Sequence, residues 1–455
     1  MGRTWGAQAG LAGLGVLSLA GYVLAFPRIP GSGLRTLSLY VALFGALFGL
    51  YLAATAIALR RAPRDRVVLG LILGFGLAFR VALLPTPIIL SSDVYRYLWD
   101  GRVQQAGLSP YRYVPADPAL AALRDEAVYP SINRPTAPTV YPPGAEALFA
   151  LVFGLAPDGL LAWRLVLLAA EVATGALLLD LLQRMGRPPT AVVVYAWAPL
   201  AVFEGVQAAH VEVLWLPFGL LALRWRQAGR LVGAGLALGA AILIKLVPAV
   251  LLLAWWRRGD RRLPAACLTL VAAGYLVYLG GAGPTVVGFL PRYFGSGEDF
   301  NIGLRFFLTG WIPIEGAVPR EAVRGITMVA LGGVLVAVLG RIARRRSDDP
   351  EGVFEAARAA AAAYLLLVPT ALHAWYAVWI VPLLAVQLSW AWLWFSGAVV
   401  LSYLKYAWDD FPFWLRALEF FPLYGLLLWE WWTGAAAIPR TAGVPSPVTP
   451  DTRAS

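Results

Sequence analysis

LSLYVALFGALFGLYLAATAIALRRAPRDRVVLGLILGFGLAFRVALL, residues 37–84, consists of two apolar runs joined by RRAPRDR, a loop in which four of seven residues are Arg. About 20 apolar residues in a helix cross the roughly 30 Å of bilayer hydrocarbon, and each run is long enough. The same pattern repeats outward along the chain. Spans are expected near 9–26, 35–59, 67–88, 160–183, 190–204, 209–224, 231–256, 263–281, 322–343, 354–371, 374–404 and 418–434. Because 231–256 and 374–404 can each fold as a hairpin of two short helices, the expected architecture is an all-α polytopic bundle of 12–14 transmembrane helices. Composition agrees. The 455 residues are 60% apolar and only 14% charged, against about 25% charged in soluble proteins, which excludes a soluble or disordered chain.

Arg-rich loops set the orientation. RRAPRDR (60–66), QRMGRPP (183–189), RWRQAGR (224–230), RRGDRR (257–262) and RIARRR (341–346) all fall on one side if that side is cytoplasmic, as the positive-inside rule requires. The net charge of +11 is therefore topological and predicts a bilayer partner rather than nucleic acid. Two long segments, near 89–159 and 282–321, then lie outside, with shorter outer elements at 204–212 and 405–414. YPPGAEALFALVFGLAP (141–157) is read as an interfacial or re-entrant helix under the first outer loop, because counting it as a span would reverse the loops that follow. Residues 1–437 are expected to form one membrane domain, and the Pro/Thr/Ser-rich 438–455 a disordered cytoplasmic tail. A single Cys excludes an intrachain disulfide, two His exclude a three-His zinc site, and no HExxH or P-loop pattern occurs.

Charges are scarce, so those without a topological reason stand out. SSDVYRYLWDGRVQQAGLSPYRY (91–113) begins where the third span ends. Ser92 or Asp93 can cap a helix running to about Ala106, with Asp93, Tyr97, Asp100 and Gln104 on one face and Arg96 placed to pair with Asp100. Tyr95, Trp99 and Arg102 form a neighbouring face suited to the lipid headgroup level. Asp93 reads either as an ordinary cap or as a general base, its place at the mouth of a helix bundle suiting removal of a hydroxyl proton.

Lys245 interrupts an apolar run and precedes Pro248; it fits contact with a phosphate, against a buried pair with Glu171, Asp180 or Glu204. Arg80, within the third span, has the same two readings, and Arg80 or Arg96 is a second candidate to hold the phosphate beside Lys245. His210 and Glu212 meet beside Glu204, as hydroxyl ligands, an acid/base pair or a satisfied loop. His373, Trp375 and Tyr376 form a platform for a sugar ring or, the more ordinary reading, an interfacial aromatic belt. Tyr141 and Asn301 shape the outer loops. Glu298 and Asp299 are weak grounds for a divalent cation, and no metal site is expected.

The 91–113 stretch, followed by TVYPPGAEALF, resembles the first outer loop of bacterial GT-C superfamily integral-membrane glycosyltransferases, and more narrowly the polyprenol-phosphate-mannose-dependent mannosyltransferases. The likeness continues through YAWAPLAVFEGVQAAHVEVLWL (195–216), ILIKLVPAVLLLAWW (242–256), GEDFNIGLRF (297–306) and PTALHAWYAVWIVPLLA (369–385), over residues 67–430. Three positions depart from the relatives: Arg134 replaces a His, Val211 stands in an H-N-[DE] triplet, and Ala374 in an HPW triplet. The resemblance implies transfer of a sugar such as mannose from a polyprenyl-phosphate donor to a lipid-linked or envelope glycan acceptor, outside the bacterial cytoplasmic membrane, with Asp93 as base. It implies no further cofactor. The alternative is a polyprenyl-lipid flippase or other secondary transporter, although the inverted symmetry of such folds is not visible.

Overall fold

The computed structural model describes residues 2–29, 31, 33–62, 64–257, 259–293, 299–310, 319–345, 348–367, 371–408 and 411–434. The segment expected to be a disordered tail, 438–455, lies outside them, as do Glu298 and the middle of the second outer segment. Among the described residues the chain is helical, with only two isolated β-bridges.

Among the described residues, six helical segments are long and apolar enough to cross a membrane: Trp5–Arg28, Leu34–Arg61, Arg66–Leu83, Leu160–Arg184, Arg262–Arg292 and Glu321–Arg344. They bury only 11–33% of their central residues against the protein, which leaves apolar faces such as Val277 and Val329 for lipid. This is a multi-pass membrane protein. The remaining apolar runs are divided into shorter pieces than the 12–14 spans expected. The 190–204 run becomes Pro189–Ala196 and Pro199–Gln207, bent by 57°, because Pro199 supplies no amide hydrogen to continue the first helix. The 231–256 run stops at Ile244 and restarts as Ala249–Trp255.

We label the first six long helices α1 (Gly2–Ala20), α2 (Leu34–Arg61), α3 (Arg66–Leu83), α4 (Asp93–Gln105), α5 (Pro143–Leu155) and α6 (Leu160–Arg184). The Asp65 carboxylate starts α3 by accepting from the amides of Val67 and Val68 at 2.8 and 3.0 Å, and it holds α1 through Gln8 at 2.9 Å. The Arg-rich loops gather at this end of the bundle. Asp180 pairs with Arg184 and Arg224, Asp348 with Arg226 and Arg257, and Glu351 with Arg187.

The opposite end carries the first outer loop. Its α4 spans 93–105 as the sequence predicts, but the hydroxyl meeting its first amide is that of Ser91, 3.3 Å from Asp93 N, and not that of Ser92. The face expected at the headgroups is covered: Trp99 is fully buried with Leu98 and Val103 under Leu120, Val128 and Ile132. The loop brings enough apolar side chains to form its own small core, which wins over the headgroup level for an indole with no exposed neighbours. Arg102 closes this cap by pairing with Asp125 and Asp158. Asp125 is partly buried, yet hydrogen bonds from Arg102 and from the amides of Tyr129 and Val128 hold its carboxyl at about 2. Close packing of α4 on α5 needs Gly101, where a Cβ would meet the Phe149 carbonyl at 2.5 Å.

Candidate active site

The expected Arg96–Asp100 pair forms at 2.8 Å, but buried rather than on the surface. It sits between α4 and α5 with a second carboxylate, Glu146, which accepts from Gln104 at 2.8 Å and from Thr139 at 2.5 Å. Gln104 in turn accepts from Tyr278 at 2.8 Å. One guanidinium thus serves two buried carboxyls. Burial and the adjoining Asp100 push the Glu146 carboxyl well above the usual carboxylate range, and burial raises Asp100 despite Arg96. The folded state therefore holds a proton that the unfolded chain releases. This contribution to stability is complete below the ordinary carboxylate range and is lost as pH rises through the raised value. The Glu146→Gln variant keeps a neutral side chain throughout, so its melting temperature in detergent should fall less than that of the wild type between pH 6 and pH 9. Parallel pH dependences would show that the pair releases no proton in that range.

This network anchors α4, whose first residue, Asp93, is half-buried at the end of the bundle away from the Arg-rich loops and accepts a hydrogen bond from Asn133 at 2.6 Å. Other elements converge on the same place. Arg164 of α6 donates to Leu84 O at 2.8 Å, to Thr86 O at 2.6 Å and to Gln207 O, tying the outer ends of α3 and the 203–207 turn together. The charge of Asp93 is felt at Tyr97, Tyr141, His210 and Tyr406, and that of Glu212 at Tyr97, Tyr141 and His210.

Lys245 lies where helix Leu231–Ile244 ends in extended backbone. Its Nζ is 2.6 Å from Glu212 Oε1 and 5.4 Å from the ring centres of both Tyr141 and Tyr376. The partner is Glu212, none of the three acids the sequence suggested. Glu212 Oε2 is buried and has no hydrogen-bond partner among the described residues. Beyond Lys245 the surroundings turn apolar. An apolar pocket is lined by Val247, Pro248, Leu251, Trp215, Trp379 and Leu383, among others. Its walls come from the restarted helix Ala249–Trp255, helix Glu212–Gln227 and the segment after Tyr376.

Above it runs a column of rings. His210 stacks on Trp375 at 4.1 Å, Trp375 on His373 at 4.2 Å, His373 on Phe300 at 4.3 Å and Phe300 on Tyr406 at 5.0 Å. Trp375 is 5% exposed, so the interfacial belt reading fails for it: the two imidazoles cover its faces.

Residues 9–257, more than half of the chain, match the MptA_B family, described as alpha-(1->6)-mannopyranosyltransferase, N-terminal domain. The chain belongs to this family. No curated protein and no solved structure matches it. It is accordingly a membrane glycosyltransferase of a mannosyltransferase family, acting on mannose.

Within this mannosyltransferase the structure brings together Asp93, Tyr141, His210, Glu212, Lys245, His373 and Tyr376. Tyr95, half-buried, packs on the cover of the first outer loop. Two of the cations proposed from sequence are engaged elsewhere. Arg80 pairs with Glu171 and donates to Gly76 O and Ala196 O inside the bundle, and Arg96 is committed to Asp100 and Ala137 O. Asn301, with φ +47°, donates to Glu419 at 2.6 Å and to Leu372 O at 3.4 Å, so it ties the 299–303 segment to the residues just before His373 and to the last helix. Asp299 pairs with Arg305 and Arg324. Sequence reasoning gave no role to Asn133 or Tyr403. Asn133 lies in INRP (132–135), a position compared with relatives only for Arg134; nothing local marks Tyr403.

Proposed function

We propose that this protein moves mannose from a polyprenyl-phosphate donor to a lipid-linked or envelope glycan acceptor on the outer face of the bacterial cytoplasmic membrane. The observation that carries the reading is the setting of Lys245: an ammonium between two tyrosine faces, two residues before Val247 in the wall of an apolar pocket, with the charge of Asp93 acting on one of those tyrosines. A phosphate carrying a polyprenyl tail has that polarity, a charged head followed by hydrocarbon. The gathered Arg-rich loops support a cytoplasmic location for the far end, which puts Asp93 outside.

The chemistry needs a base, a cation and a sugar surface. Asp93 takes the acceptor hydroxyl proton as the oxygen attacks the anomeric carbon. The bond from that carbon to the phosphate oxygen breaks, and polyprenyl phosphate leaves with its charge opposite Lys245. Arg80 and Arg96 are held in ion pairs, so the phosphate role narrows to Lys245. His210, Glu212, His373 and Tyr376 supply hydroxyl partners and ring faces. A single displacement inverts the centre; to give the α-linkage in the family's description it requires a β-linked phosphomannose. Membranes containing the protein, offered radiolabelled polyprenyl phosphates bearing different sugars, should transfer mannose and leave the others. Transfer from none of them would remove this reading and favour the transporter.

A further inference from the structure

Glu204 and Tyr403 are buried behind His210 and have no part in the reaction above. Phe203–Gln207 is a π-helical turn, and Ala209 follows with φ +61°, a conformation an alanine adopts at a cost of about 1–2 kcal/mol. The turn is held from several sides: the Trp163 indole donates to Ala209 O at 3.0 Å and the His210 amide to Glu204 O at 3.2 Å. The outcome is the setting of one imidazole. His210 Nδ1 is 3.1 Å from Glu204 Oε2 and 3.2 Å from Glu204 O. Two acceptor oxygens face Nδ1, so Nδ1 carries the proton. The Tyr403 hydroxyl, 2.9 Å from both Glu204 oxygens, fixes the carboxylate, and Trp375 fixes the plane of the ring. Nε2 is buried and without a partner among the described residues. An unmet nitrogen out of water costs on the order of 1–3 kcal/mol, which a ligand hydroxyl bonded to it would recover.

We propose that Glu204, held by Tyr403, is a positioning residue for sugar recognition: it fixes the His210 tautomer whose Nε2 accepts a hydrogen bond from one mannose hydroxyl. The assignment rests on the mannosyl-transfer reading and adds to it which group is read and how. The charged groups facing the ring are Glu204, Glu212 and Asp93, with His373 beyond Trp375. Burial disfavours a second proton on the imidazole and the carboxylates, Glu204 first among them, favour it; accepting a hydroxyl at Nε2 requires the neutral ring.

Fluorine tests the direction of the bond, because it accepts weakly and never donates. Polyprenyl-phosphate mannose donors and alkyl α-mannoside acceptors are prepared with one hydroxyl replaced by fluorine. In the wild type, one position should raise KM about tenfold, the worth of one hydrogen bond, with a smaller change in kcat. In His210→Ala and Glu204→Ala that position should cost no more than the others. Glu204→Gln retains a carbonyl acceptor for Nδ1–H and should restore the penalty. A penalty that persists in His210→Ala, or no position-specific penalty in the wild type, overturns the assignment. If Glu204→Ala does not fold, His210→Ala and Glu204→Gln decide alone. A wild type inactive with unmodified polyprenyl-phosphate mannose overturns the functional reading itself, and is recognised before any variant is compared.

Discussion

Replacing Asp93 with Asn should lower mannosyl transfer by about 10²–10⁴-fold and leave the protein folded in the membrane. The substitution keeps the shape of the side chain and the acceptor oxygen that Asn133 bonds, so the loop it closes is retained. What disappears is the ability to take a proton. A role confined to starting α4 makes a different forecast: a carboxylate in the first turn is worth about 0.3–1 kcal/mol of helix stability, and losing it leaves turnover nearly intact. Initial rates in proteoliposomes at matched protein content separate the two. Turnover within threefold of the wild type would remove Asp93 from the chemistry.

The second large effect is expected at Lys245. Lys245→Met leaves Glu212, 2% exposed at its side chain, as an uncompensated carboxylate, which costs about 3–5 kcal/mol in stability. Transfer should also be lost, since Lys245 is the cation that contacts Glu212, Tyr141 and Tyr376 together among the described residues. The single variant confounds fold with function, so the informative protein is Lys245→Met combined with Glu212→Gln. Neutralising both partners should recover most of the melting temperature while transfer from the lipid phosphate stays absent. A stable double variant that still transfers mannose would reduce the pair to a structural role.

The sequence was a sound guide wherever one local cause dominated. Expected spans at 35–59 and 160–183 appear as Leu34–Arg61 and Leu160–Arg184, because length and apolarity decide a membrane helix. The polar helix of 92–106 appears as Asp93–Gln105 for the same reason in reverse: its charges and spacing leave few alternatives. Partners distant in sequence were not legible. Arg80 meets Glu171, 91 residues away and one of the three acids the sequence offered, whereas Lys245 meets Glu212, which it did not; helix packing makes that choice, and spacing does not encode it. Trp99 and Trp375 show the same limit. An indole among polar residues suits a membrane interface, and only the fold reveals that Leu120 and Ile132 cover one while His210 and His373 flank the other. Tyr403 illustrates it furthest, since it reaches Glu204 across 199 residues.

A helix that stops at Ile244 and resumes at Ala249 makes surface density the quantity that governs supply. That gap sets Lys245 two residues before Val247 in the pocket wall, and the polyprenyl-phosphate donor proposed above is an amphiphile lying in the bilayer. Such a substrate arrives by lateral diffusion in two dimensions. Its saturation is then counted as a mole fraction of membrane lipid, and diluting it with inert lipid slows the enzyme even when the amount per litre is unchanged.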